Sequence, residues 1–150
     1  MIGVHASGIH GGSLGKSQED LIYNVSLFCI EHFKLERFKA MVHVKQHRSR
    51  KLMDDFAIGY STMDIIDTDQ GKYKWGTIEL VTQPKAQFIK TLIHEWVHIK
   101  QYLRGELSMT GHKWKKQDES HLDYEDQSCE KEAYKLQEEL YELWLTSNRL

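Results

Sequence analysis

Residues Lys85 to Arg104 read KAQFIKTLIHEWVHIKQYLR. Phe88, Leu92, Trp96 and Ile99 recur at helical spacing, and Ile93 and Val97 widen the stripe. A helix apolar around so much of its circumference belongs at the centre of a core. Pro84 stands at its start, where a missing N–H costs little, and Gly105 supplies a stop. Inside the helix lies His94-Glu95-Trp96-Val97-His98, an H-E-x-x-H string. Positions four apart share a helix face, so the two imidazoles lie one turn apart on the same side. Two ionisable groups in an apolar helix call for a partner that compensates their burial. Such a pair can hold one Zn²⁺, with the intervening Glu95 within reach of a water on the metal. This pattern predicts metal-assisted hydrolysis, most simply of a peptide bond.

Outward from that helix, the elements predict an α+β domain. Towards the N-terminus, Thr77 to Thr82 and Asp55 to Met63 read as strands, the latter with Phe56, Ile58, Tyr60 and Thr62 on alternating positions. Asp67 to Gly71 reads as a solvated turn between them, without the ligand pattern of a calcium loop. Ala40 to Val44 is a third short apolar strand. Together they predict a short, antiparallel-rich sheet. Leu21 to Lys34 carries Leu21, Val25, Phe28, Cys29 and Phe33 at helical spacing, with Ser17 as the expected N-cap. Residues 1 to 16 are crowded with Gly3, Gly8, Gly11, Gly12 and Gly15 and read as a flexible start or a loop. His10 to Ser17 looks like a phosphate-binding loop at first sight, but His10 stands where that motif needs its first glycine.

Beyond the central helix, residues 106 to 124 read as a long polar connection, of the kind that often carries function. A last helix runs from about Asp126 to Thr146, with Cys129, Ala133, Leu136, Leu140, Leu143 and Trp144 on one face.

A chain of 150 residues suits a single domain. Hydrophobic residues make up 40% and charged residues 28%, the balance of a soluble globular chain. The net charge of −2 and the mixed signs argue against nucleic acid as a partner. Lys113, Lys115 and Lys116 beside Trp114 form a local basic run, but Asp118 and Glu119 follow it at once. No apolar run reaches bilayer length and no secretory signal is visible. Cys29 and Cys129 read as two buried free thiols, so the expected compartment is the cytoplasm.

Zinc in a catalytic site takes three protein ligands and leaves a fourth position open. A third His within one extended motif is absent: Arg104 stands six residues after His98, and Gln101 occupies the glycine position of the metzincin pattern. The remaining candidates are Glu130 and Glu132 on the last helix and His112 and His121 in the long connection. Ala133 is small enough to let the last helix approach closely, but helical geometry does not choose between the two acids.

The residues His94 to Tyr102, the pair Trp114-Lys115 and the run Tyr124 to Tyr134 make the chain resemble a zincin of the gluzincin type, and are similar to small phage-encoded metallopeptidases. The likeness covers about Thr77 to Leu140. In several such families a later helix carries E-x-x-A-D with its first Glu on the metal. Glu130-Lys131-Glu132-Ala133-Tyr134 matches that frame through Ala133, so the resemblance implies Glu130 as third ligand. Tyr134 replaces the Asp that usually orients a ligand His. A competing SprT-like frame, faintly matched by Gly111-His112, would take a loop His instead and imply a nucleic-acid-associated protease.

The expected chemistry has His94, His98 and Glu130 on Zn²⁺ and Glu95 as general base. Tyr102, Tyr124, Tyr134 and His121 are candidates to stabilise an oxyanion, and Tyr134, one turn beyond Glu130, is also placed to support a ligand. The expected partner is a peptide or protein substrate, with the Thr77 to Thr82 strand as its pairing edge. A zinc-stabilised binding module is the non-enzymatic alternative, against which Glu95 counts, since a structural site needs no base.

Overall fold

The computed structural model describes residues 1–8, 12, 14–48 and 58–147. Its first element is strand β1 (Ile2–Gly8), followed by helix α1 (Lys16–Phe33) and strand β2 (Ala40–His47). Because a helix joins them, β1 and β2 run parallel, in register from Ile2 opposite Ala40 to Gly8 opposite Gln46. Strands β3 (Gly59–Thr68) and β4 (Gly71–Val81) form an antiparallel hairpin. β4 also pairs in parallel with β2, giving the sheet order β1-β2-β4-β3. Helix α2 (Lys85–Leu103) follows. A small hairpin, β5 (Lys113–Trp114) and β6 (Gln117–Asp118), a 3₁₀ turn (Tyr124–Asp126) and helix α3 (Ser128–Ser147) complete the chain.

The expected α+β class holds, but the main sheet is mixed rather than antiparallel-rich, because β1 and β4 both lie parallel to β2. Residues 2–8 are a strand and not a loop. Glycine weakens the local strand signal, and here pairing to β2 overrides it. Helix α1 starts at Lys16, with Gly15 rather than Ser17 preceding it, and no side-chain cap is made. The strand expected from Asp55 is seen from Gly59 and continues to Thr68; Phe56 lies outside the described residues. The connection after α2 is less irregular than expected, since the β5–β6 hairpin folds within it. Leu143, expected on the buried face of α3, is 47% exposed.

The period-two pattern of β2 points Ala40, Val42 and Val44 to the helical side, where Ile78 and Leu80 of β4 join them, all fully buried. Against them pack Ile22, Val25 and Cys29 of α1 and Leu92, Trp96 and Ile99 of α2, so the core lies between the sheet and this helical layer. Both Cys29 and Cys129 are free thiols, and burial pushes the Cys29 thiol up. Helix α2 ends at Leu103, and Gly105 turns the chain away with φ of 72°. Among the described residues no helix is long and apolar enough to cross a membrane.

Trp96 is fully buried, and its indole Nε1–H donates to Ser26 Oγ of α1 at 2.9 Å. This is a buried polar link between the two helices. Ser26→Ala would leave the indole donor unsatisfied in the core and should destabilise the protein by about 1–3 kcal/mol, measured by urea unfolding. Combining it with Trp96→Phe should recover part of the hydrogen-bond loss.

Candidate metal centre

Three side chains converge where α2 faces the first turns of α3. His94 Nε2 lies 2.9 Å from Glu130 Oε1, and His98 Nε2 lies 2.9 Å from Glu130 Oε2. The three candidate ligand atoms all fall within 4.8 Å of one another. Each of the three residues is only 5% exposed. Among the described residues, this is the group of His, Cys, Asp or Glu side chains found able to hold a metal ion.

The sequence expectation of His94, His98 and Glu130 is therefore met as a spatial cluster. The competing ligands stand elsewhere. Glu132 receives Lys100 Nζ at 2.9 Å and Gln101 Nε2 at 3.1 Å. His112 and His121 are exposed and outside the cluster. The basic run around Trp114 forms the β5–β6 hairpin, with Lys115 and Lys116 in its turn at positive φ.

Local geometry explains the convergence. The i, i+4 spacing stacks the His94 and His98 rings edge to face, centroids 5.0 Å apart. Ala133 is fully buried one turn after Glu130, and its small side chain lets α3 approach α2. The other ring nitrogens are also engaged: His94 Nδ1 meets Gln137 Oε1 and His98 Nδ1 meets Gln101 Oε1, each at 2.8 Å. An amide oxygen only accepts, so both imidazoles carry their proton on Nδ1 when neutral. Their Nε2 lone pairs then face the cluster. Two imidazole nitrogens and one carboxylate oxygen, with ring orientation fixed from behind, form a donor set that fits a divalent transition metal.

Glu95 lies beside this cluster and outside it. It is 4% exposed, and burial raises its pKa against the opposing pull of His98, His94 and Ser61. Its neighbour across the interface is β3. A Cβ on Gly59 would lie 2.8 Å from Thr91, 2.9 Å from Leu80 and 3.3 Å from Glu95 Oε2. The missing side chain is what lets the strand lie this close to the carboxylate.

Cluster and Glu95 share a cavity of about 700 Å³ that also meets Gly59 and Ser61 of β3, Tyr102 of α2, and Tyr124 and Tyr134. The Tyr134 ring packs against His94 with centroids 4.6 Å apart. Tyr124 is 58% exposed as a residue, but its hydroxyl turns into the cavity, where loss of water and the Glu130 carboxylate that it meets push it up. Tyr134 meets Tyr124 in turn. Tyr102 is 8% exposed, and burial, with Cys129, Glu95 and Glu130 nearby, pushes it up to about 12. All three tyrosines therefore remain protonated donors at neutral pH.

Strand β4 lies between β2 and β3, so the Thr77 to Thr82 segment has no open edge. The edge strand beside the cavity is β3, a correction to the expected pairing strand. Gln101, Gln137 and Gly59 were not singled out as supports of the site. The available signals were a glutamine one turn after His98 and a glycine inside a strand pattern.

Comparison with protein-family models, curated proteins and solved structures finds no match for this chain.

Charge in the metal-free site is balanced by proton placement. Burial works against the His98 imidazolium, but the Glu130 hydrogen bond and the Glu95 and Glu130 charges outweigh it and hold His98 at about 9. Burial works against the Glu130 carboxylate too, and the hydrogen bonds from His94 and His98 outweigh it and hold Glu130 at about 2. An imidazolium has no lone pair to give, so a cation must displace the His98 proton. Metal binding at pH 7 should release protons, the one on His98 included, seen as a dependence of calorimetric heat on buffer ionisation enthalpy. Metal affinity should rise with pH and level off above about 9. Gly59→Ala should push β3 back from Thr91, Leu80 and Glu95 while leaving metal stoichiometry intact, checked by metal analysis beside a catalytic assay.

Proposed function

We propose that this protein is a zinc-dependent hydrolase, most simply a peptidase, in which His94, His98 and Glu130 hold Zn²⁺ and Glu95 is the general base. The observation that carries this reading is the placement of Glu95. A buried carboxylate with a raised proton affinity borders the His-His-Glu cluster without belonging to it, and opens on the same cavity. A purely structural metal site has no use for such a group. Membership of the gluzincin-type zincins, near their small phage-encoded examples, and residence in the cytoplasm are parts of the same proposal.

Two nitrogens and one oxygen suit zinc and leave a position for chemistry. Bound there, zinc would acidify a water molecule and polarise a substrate carbonyl. Glu95 takes the proton from the attacking water and hands it to the leaving amine. An extended peptide lies along the outer side of β3, the edge strand of the described sheet. Gly59 and Ser61 then bring the scissile bond against Glu95. Tyr134, packed on His94, and Tyr102, on the turn after His98, are the donors for the charge that develops on the carbonyl oxygen.

The test is metal content followed by turnover. Wild-type protein supplied with zinc should hold about one ion per chain, lost in Glu130→Ala and kept in His112→Ala, His121→Ala and, at saturating zinc, Glu132→Ala. Glu95→Gln should keep the zinc and lose about 10²–10⁴-fold in cleavage of a quenched-fluorescent peptide library. Tyr134→Phe and Tyr102→Phe, assayed alongside, should separate the oxyanion donor by a fall of about 10²–10³ in kcat at unchanged metal content. Full turnover in Glu95→Gln would overturn the assignment of the base, and a wild type that takes up no zinc would overturn the hydrolase reading.

A further inference from the structure

Gln101 stands one turn after His98 on α2 and is fully buried. Its Oε1 takes the His98 Nδ1 hydrogen at 2.8 Å. Its Nε2 donates twice, to the Cys129 carbonyl at 3.0 Å and to Glu132 Oε1 at 3.1 Å. These contacts settle which way the amide faces. In the reversed orientation the oxygen would meet a carbonyl and a carboxylate, and the two amide hydrogens would crowd an imidazole N–H. The two acceptors flank Glu130 in sequence, on the first turn of α3. One side chain therefore grips both His98 and the short segment that carries the third candidate ligand.

We propose that Gln101 is a positioning residue that couples two metal ligands on different helices. Its amide oxygen sets the ring of His98, and its amide hydrogens hold the start of α3 so that Glu130 meets that ring. The role rests on the metal-binding part of the proposed function and not on which bond is cleaved.

Gln137 makes the contrast that gives this inference its test. Its Oε1 takes the His94 Nδ1 hydrogen at 2.8 Å, but its Nε2 donates to Glu138 Oε2, an exposed carboxylate also paired with Lys90. Only the acceptor atom of Gln137 faces the site. A carboxylate in its place would accept the imidazole hydrogen at least as well. At position 101 the same exchange removes both donors and sets a new carboxylate against Glu132 and the Cys129 carbonyl. If orienting an imidazole were the whole role of each glutamine, the two acid variants would behave alike.

The experiment measures zinc affinity by chelator competition in Gln101→Glu, Gln137→Glu and Glu132→Ala, with thermal unfolding of each metal-free protein recorded in parallel. Gln101→Glu should lose about 10- to 100-fold in zinc affinity, and Gln137→Glu should match or exceed wild type. Glu132→Ala removes one anchor of the Gln101 amide at a half-buried position. It should weaken zinc about tenfold while the metal-free unfolding midpoint stays close to wild type, which keeps the idea testable if Gln101→Glu folds poorly. The proposal is overturned if Gln101→Glu or Glu132→Ala binds zinc as wild type does, or if Gln137→Glu loses as much as Gln101→Glu. A wild type without measurable zinc affinity would remove the metal reading and this coupling with it. Zinc binding without peptide cleavage would leave the coupling intact and reject only the peptidase.

Discussion

The contact between the Glu130 carboxylate and the two imidazoles of α2 is the constraint around which the structure is arranged. Two histidines and two glutamates are buried here beside an apolar core. Removing such groups from water is costly unless each charge and each hydrogen-bonding atom has a partner. Glu130 lies 2.9 Å from both Nε2 atoms, and two glutamines accept from both Nδ1 atoms. That requirement fixes how closely α3 approaches α2, and Ala133 makes the approach possible.

The rest of the fold supplies a rigid backing to that contact. Helix α2 is held from behind by the sheet and by α1, with the Trp96–Ser26 hydrogen bond as a polar pin in an apolar interface. On the sheet side, β3 approaches near enough to meet Glu95 because Gly59 has no side chain. The Glu95 carboxylate, the cluster and the edge strand thus reach one cavity from α2, α3 and β3. Tyr60 of β3 donates to Glu79 of β4, which also receives His47 of β2 at 2.7 Å. This ties the strand beside the cavity to the interior of the sheet.

Sequence reading recovered what depends on local periodicity. Helix α2 was expected to run to Arg104 and ends at Leu103, because its apolar stripe, Pro84 and Gly105 are all local signals. The choice of Glu130 over Glu132 was not local: it came from a family resemblance, and packing distinguishes the two acids by giving Glu132 to Lys100 and Gln101. Strand β1 escaped notice because its glycines mask a pairing that only β2 makes visible. The mixed sheet escaped it for a related reason, since strand direction depends on which strands become neighbours. Gln101 and Gln137 carry no motif of their own. Their meaning lies in partners 28 and 43 residues away, which no window along the chain contains.

The open edge of β3 has a further consequence for how this protein behaves in a crowded solution. Paired on one side by β4, a ten-residue strand at the edge of the described sheet is a template for any other extended chain, another copy of itself included. Its two halves differ in how they meet that hazard. From Asp64 onward the strand is exposed and carries Asp64 and Asp67, charges that discourage a second strand from docking. From Gly59 to Met63, beside the cavity, it carries none. Receptivity to a second strand is thus confined to a few uncharged residues, and the charged half of the same strand guards against aggregation.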